Sequence, residues 1–485
     1  MAIAVETMAR ERIHPAAWGC MLYILVAVGR LPELLPALAP FHVGKIAVAL
    51  ALLGILIGPP ATGRGVWSTP MGRLVLVLSV LAALSITFSI WRSYSLNFLL
   101  SNFLSSIIVF FVIVRTAKTR RMIALYLGAL LCAGGLLALM ALLADGAGRI
   151  AVSTSYDPND LALVLVTLLP LAVTGVFALR GFARIGILAL AAGMLMVILL
   201  TGSRGGFLGL LVVAGYLLLA RFPTARGGLT RRFNPVKFAV IGAGALLLAV
   251  TVPPATWERM ATIGSVGDDY NVTAEDGRIA IWKRGLSAMG QRPVGYGLAT
   301  FGSVEGQHGG GRYQSAHNSW IQIGVELGIP GALVLAALYM VALRHLRALR
   351  LYGQPRLRGA AGRTSPAALL HAGVAVGLRG CLLGFLVTSF FLSAAYSTLL
   401  FALFAIIAAS YAHALGSNVE TASVTTQLSK APDSKQAPDA KSRWQPAAQR
   451  SAHASPAKPR HVRAGDDDAL LLQPRTPDVR RYWRS

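Results

Sequence analysis

Acidic side chains are scarce in this chain of 485 residues: 20 Asp and Glu stand against 45 Lys and Arg, and charged residues of both signs make up only 13%. Soluble domains run nearer a quarter charged. With 55% hydrophobic residues and a mean hydropathy of +0.61, a soluble multidomain enzyme is excluded. Cysteine is almost missing. Cys20, Cys132 and Cys381 each lie inside an apolar run, and an odd number so placed makes neither a disulfide framework nor a zinc site. Polar surface is also lacking around most of the basic residues, which sit between apolar runs. The formal charge of +25 therefore does not mark a nucleic-acid binder. No internal repeat is evident.

What the chain has is apolar runs of spanning length. A bilayer core of about 30 Å takes roughly 20 apolar residues per helix. Runs near that length lie at about 16–30, 43–58, 73–91, 96–115, 121–144, 161–179, 184–201, 206–220, 238–254, 319–343, 380–396 and 397–414. The first, though short, is read as an uncleaved helix because further spans follow it. The sequence thus predicts an all-α, polytopic integral membrane protein of about twelve transmembrane helices, with a large outer loop between helices 9 and 10. Residues 1–252 hold spans one to nine, 253–318 the loop, 319–416 spans ten to twelve, and 417–485 a tail. The tail is rich in Ala, Pro, Ser and Lys without apolar period, the composition of a disordered segment.

Charge sets the expected topology, because Lys and Arg collect in cytoplasmic loops. With the amino terminus inside, the inner connections hold Arg10 and Arg12, Arg64 and Arg73, Arg115 to Arg121, Arg180 and Arg184, Arg221 to Lys237, and Arg344 to Arg363. Before position 416, every acidic residue except Glu6 and Glu11 falls on the outer side. Both termini are then cytoplasmic. Ionisable residues near the bilayer midplane, which mark ion or substrate paths, are expected to be absent, with Arg30, Lys45, Arg204, Glu326 and Arg379 placed at or near span ends. That pattern favours binding or chemistry at the outer membrane boundary, where the substrates are lipid-linked.

Two outer motifs sharpen this reading. Thr201-Gly-Ser-Arg-Gly-Gly206 joins two spans; its glycines permit a tight turn whose amides, with the Arg204 guanidinium, can hold a phosphate, although a plain hairpin with a snorkelling arginine has the same sequence. Ala316-His317-Asn318-Ser-Trp320 stands where the long loop enters the tenth span, followed by Glu326-Leu-Gly-Ile-Pro-Gly331. Histidine suits a general base near neutral pH. Within the loop, Gly277 to Met289 predicts an amphipathic helix with Trp282 and Leu286 on one face, and Arg292-Pro-Val-Gly-Tyr-Gly297 predicts sharp turns. Asp268, Asp269, Glu275, Asp276 and Glu305 would serve a paired-carboxylate glycosidase; adjacent acids in a polar loop are more often solvated.

Thr-Gly-Ser-Arg-Gly-Gly, then Gly277-Arg278 with Trp282, then Pro293-Val-Gly-Tyr-Gly297, His317-Asn318 and Glu326-Leu-Gly, together resemble the O-antigen ligase and O-antigen polymerase family of bacterial inner-membrane glycosyltransferases. Asp157-Pro-Asn-Asp-Leu-Ala162 is also similar to a segment of such proteins, and the resemblance covers roughly residues 150–410.

The resemblance implies periplasmic transfer of a glycan from undecaprenyl diphosphate to an acceptor hydroxyl, on lipid A-core, another glycan or a protein, with no metal and no cofactor. It implies Arg204 and Arg278 against the diphosphate, and His317 as base or orienting group. Asn318, Trp282, Arg259 and Arg292 are the expected substrate contacts. A transporter or flippase of similar lipid-linked glycans is the competing class.

Overall fold

The computed structural model describes residues 13–59, 69–144, 150, 156–224, 229–230, 237–238, 242, 250, 252–261, 277–308, 311–356 and 366–430. Apart from one isolated bridge between Pro223 and Leu229, the regular structure among them is helical. The account concerns the compact unit that ends at Thr426.

In chain order the main helices are α1 (Pro15–Ala27), α2 (Val43–Ile57), α3 (Pro70–Thr87), α4 (Arg92–Thr116), α5 (Arg120–Leu143), α6 (Pro158–Ala178), α7 (Gly181–Leu200) and α8 (Arg204–Leu219). Then come α9 (Pro254–Ala261), α10 (Arg278–Gln291), α11 (Phe301–His308), α12 (Ser319–Glu326), α13 (Gly328–Arg356), α14 (Pro366–Thr388) and α15 (Thr398–Lys430). A π-helical turn at Leu99–Phe103 interrupts α4.

Among the described residues, eight helices are long and apolar enough to cross a membrane: α3 to α7, Gly328–Leu351 of α13, Leu370–Phe391 at α14, and Thr398–Gly416 of α15. Helices α1, α2 and α8 are apolar but shorter. The ninth expected run, 238–254, lies mostly outside the described residues. Eight span-length helices and three shorter apolar ones thus account for eleven of the twelve expected runs among the described residues. Large apolar side chains remain exposed along these helices, among them Leu56, Leu84, Ile185 and Phe182, the last 92% exposed. Such patches suit a lipid-facing surface.

Three boundaries differ from the sequence reading. The run beginning at 319 is two helices, because the chain breaks at Gly328 (φ +70) and only α13 is span-like. The eleventh span starts some ten residues earlier than expected, at Leu370, which puts Arg379 near the middle of α14 rather than at a span end. Helix α15 runs to Lys430, past the boundary at 416 expected for the tail. Hydropathy had no way to see the second of these, since one arginine in a small-residue stretch splits an apolar run in two.

Helix α15 has no polar face, and that is explained by its position. From Leu399 to Ala409 no side chain is more than 2% exposed, as befits a helix apolar all round. Phe401 meets Phe103 of α4 at 5.5 Å between ring centroids, and Phe404 meets Tyr339 of α13 at 5.4 Å. Around this post α14 packs along α6, α8 and α13, while α1 packs on α2.

The described parts of the long loop form α9, α10 and α11 with a small core of their own, including Ile281, Ala288, Tyr296, Phe301 and Val304. The buried face of α10 is Ile281, Gly285 and Ala288; Leu286 is 51% exposed and Trp282 only half-buried. The loop is fastened to the bundle by backbone. Tyr296 N donates to Val325 O at 2.9 Å, Gly297 N to Glu326 O at 2.9 Å and Ile329 N to Pro293 O at 2.8 Å. The segments 293–297 and 325–329 thus clasp each other.

The clasp generates two tests. A Cβ added at Gly328 would stand 2.1 Å from Pro293 O, backbone that cannot yield, on a left-handed residue. Gly328→Ala should cost at least about 2 kcal/mol, read as a clear fall in the thermal midpoint of the detergent-solubilised protein; an unchanged midpoint would refute the clasp. Within it, Glu326 is buried beside Tyr396, and burial raises its carboxyl pKa from 4.5 to about 7. The folded state holds the proton more tightly, so this group's contribution is full below pH 4.5 and is lost as pH rises through about 7. Glu326→Gln should flatten that loss and make the variant more stable than wild type at pH 8, by roughly 3 kcal/mol. Parallel stability curves for the two proteins from pH 5 to pH 8 would contradict it.

Candidate active site

The connections assigned to the outer side gather at one end of the bundle. The α3–α4 turn meets the loop through Ile90 N, which donates to Tyr296 O at 3.0 Å, and Ser95 Oγ, which donates to Leu298 O at 2.7 Å. Arg30, after α1, stands over the Tyr156 ring at 4.4 Å and 3.6 Å from Glu33. Parity of the connections along the chain therefore agrees with their grouping in space.

Helix α6 begins at this end because Asp157 caps it, its Oδ1 accepting from Asn159 N at 2.6 Å and Asp160 N at 2.9 Å. Helix α8 begins beside it. Ser203 Oγ accepts from Gly206 N at 3.1 Å and donates to Asn159 Oδ1 at 2.9 Å, which joins the 157–162 and 201–206 motifs. A Cβ at Gly206 would lie 2.6 Å from the Ala162 methyl group, so glycine lets α8 start this close to α6.

Arg204 and Arg278 are the first residues of α8 and α10. Neither helix has an acid in its first turn, and Gly277 gives α10 no side-chain cap. Helix amino termini carry partial positive charge and free N–H groups. A small pocket between the two starts is lined by Asn159, Ser203, Gly205, Gly206 and Arg278, and closed by Thr388, Phe391 and Leu392. The pocket is only about 10 Å³ and Arg204 does not line it; the positive ends of two helix dipoles and the Arg278 side chain give it the polarity that suits an anion.

His317 turns the chain into α12 with a left-handed backbone (φ +44), a conformation uncommon outside glycine. Its N–H donates to Ser393 Oγ at 3.0 Å. Ser319 Oγ donates to Leu392 O at 2.8 Å and accepts from Ala394 N at 2.9 Å, and Trp282 Nε1 donates to Ala316 O at 2.9 Å. The corner is thus held by α10 on one side and the α14–α15 link on the other. Nε2 lies 3.0 Å from Ser315 Oγ. Burial lowers the imidazole pKa, the Arg278 guanidinium lowers it further, and the Asp157 carboxylate works against both. His317, Arg278 and Asp157 therefore share one electrostatic neighbourhood, and neutral imidazole is favoured.

The other expected contacts are placed as follows. Asn318 is 1% exposed and its Oδ1 caps α12, accepting from Trp320 N at 2.9 Å and Ile321 N at 3.1 Å. Trp282 packs edge-on against Phe390 at 5.4 Å. Arg292 stands at the far end of α10, about 20 Å from Arg278, donating to Phe88 O at 2.6 Å. The Arg259 side chain lies outside the described residues, as do Asp268, Asp269, Glu275 and Asp276. Glu305 is buried and bound by Arg284, whose Nε donates to its Oε1 at 2.8 Å. It is not half of an open carboxylate pair.

The α14–α15 link at 388–397 had gone unnoticed as part of the site. Its sequence signal is Ser389, Ser393 and Ser397, a hydroxyl every fourth residue in an otherwise apolar run.

A family model described as O-antigen ligase matches residues 188–336, less than a third of the 485 residues. The match runs from α7 to the start of α13 and takes in Arg204, Arg278, the clasp and His317. No curated protein matches the chain. Residues 188–336 are thus similar to the O-antigen ligase family, and with eight helices among the described residues long and apolar enough to cross a membrane the chain is a multi-pass membrane protein.

Proposed function

We propose that this protein is an inverting, metal-independent glycosyltransferase of the bacterial inner membrane. It moves a glycan from undecaprenyl diphosphate to an acceptor hydroxyl at the periplasmic face, with both termini cytoplasmic. One observation supports the reading: the starts of α8 and α10, each opening on an arginine and free of acids in the first turn, share a pocket lined by Arg278, whose charge also acts on the His317 imidazole and favours its neutral form.

In the reaction the acceptor oxygen attacks the anomeric carbon from the face opposite the diphosphate. The new C–O bond forms as the bond to the diphosphate oxygen breaks, and its electron pair leaves with the diphosphate. The acceptor's proton passes to Nε2 of His317. The developing negative charge lies against the amino terminus of α8, Arg204 and Arg278, where fixed charges in a poorly hydrated site are most effective. Ser315 Oγ, 3.0 Å from Nε2, occupies a position that an acceptor hydroxyl would take. The acceptor is lipid A-core in a ligase, a second lipid-linked glycan in a polymerase, or a protein side chain.

Purified protein given lipid-diphosphate glycan and acceptor should release free undecaprenyl diphosphate, whereas a flippase would release none. His317→Ala should slow release roughly 10²–10⁴-fold, the usual worth of a general base, and Arg278→Gln roughly 10²–10³-fold. Ser315→Ala should stay active. Unaltered turnover in His317→Ala would remove His317 from the mechanism.

Because the His317 pKa is lowered, the acid limb of kcat/KM should fall below about pH 6.5, the ordinary value of a histidine side chain. In Arg278→Gln one cause of the lowering is gone, so the limb of the residual activity should move up. A limb that stays put would show that Arg278 does not act on this imidazole.

A further inference from the structure

A second, roomier cavity lies away from the active site. About 390 Å³ in volume, it lies at the other end of the bundle, between the carboxyl-terminal part of α8, the carboxyl-terminal part of α13 and the middle of α14. Tyr216 is twelve residues along α8 from Arg204, about 18 Å away, and Leu346 is about 27 Å along α13 from Gly328. The volume falls within the roughly 300–1,000 Å³ of ligand sites.

Three arginines line this cavity: Arg221 just past α8, Arg350 at the end of the α13 span, and Arg379 from mid-span on α14. Among the described residues no carboxylate pairs with any of them. The sequence offers none nearby, since residues 161–257 and 327–419, which supply every lining residue, contain no Asp or Glu. Leu219, Leu346 and Leu383 form the apolar part of the lining, and the Tyr216 hydroxyl is fixed by donating to Val376 O at 2.9 Å.

A cation at mid-span is expensive in lipid and marks a site when it has no internal partner. Arg221 and Arg350 are exposed at the span ends, and Arg379 reaches toward them from deeper in the bundle. A ligand that matches them must carry negative charge at the membrane boundary and apolar chains below it.

We infer that this cavity binds the phosphate headgroup of an anionic glycerophospholipid, with the three guanidiniums around the phosphate and the acyl chains along Leu219, Leu346 and Leu383. A free phosphate would satisfy the cations and leave the apolar wall unused, so the lipid is the source favoured. In the orientation proposed above, this is the cytoplasmic leaflet.

The test is native mass spectrometry of the full chain, delipidated in detergent and titrated separately with phosphatidylglycerol and phosphatidylethanolamine. Phosphatidylglycerol should be retained in preference. Each arginine removed should weaken it roughly fivefold, in Arg379→Gln and in the double variant Arg221→Gln/Arg350→Gln. The double variant changes two exposed positions and keeps the test open should Arg379→Gln fail to fold. Arg379→Lys should recover part of the loss. Equal retention of the two lipids, or unchanged phosphatidylglycerol binding in monodisperse double variant, would overturn the inference. Displacement of the lipid by inorganic diphosphate at matching concentration would overturn the lipid as source.

Discussion

A polar connection between apolar spans must find partners for its backbone groups, because the bilayer provides none. That constraint organises this molecule. The outer connections satisfy one another: 293–297 clasps 325–329, His317 N–H reaches Ser393, Ser203 reaches Asn159, and Ile90 reaches Tyr296. Chain segments hundreds of residues apart are thereby fixed within one layer. His317 shares one electrostatic neighbourhood with Arg278, and Arg278 shares a pocket with Ser203 and Gly206 at the start of α8, because the peptide groups around them had to be paired.

The same layer sorts charge by sign. Described acids at this end are committed: Asp157 caps α6, Glu305 is bound by Arg284, and Glu326 is buried with a raised pKa. The starts of α8 and α10 are left cationic, and His317 is left neutral. Helix dipole, guanidinium and imidazole then act together on a leaving diphosphate and an incoming hydroxyl. At the far end of the bundle no described carboxylate pairs with Arg221, Arg350 or Arg379, and these arginines face a cavity of a different kind.

Much of this could be read from the sequence. Glycines at 206, 295 and 297 marked places that the structure uses for close approach, and the excess of Lys and Arg in alternate connections matched the grouping of the outer ones in space. Other features had no local signature. Hydropathy runs straight through Leu327, so the break before α13 was invisible. Arg379 looked like a boundary because it divides an apolar run, yet it sits within α14. Asn318 next to His317 suggested a ligand contact, whereas its carboxamide oxygen belongs to the backbone of α12. The 388–397 link carries no charged residue, and its part in the site arises from hydroxyl, backbone and ring contacts to residues some seventy or more positions earlier.

The most direct measurement is an experimental structure of the protein with an undecaprenyl-diphosphate-linked glycan bound. The account places the diphosphate between the amino termini of α8 and α10, within about 4 Å of the Arg278 guanidinium, with the anomeric carbon toward His317 Nε2. A diphosphate seated elsewhere, for instance among Arg221, Arg350 and Arg379, with the pocket beside Ser203 empty, would contradict it.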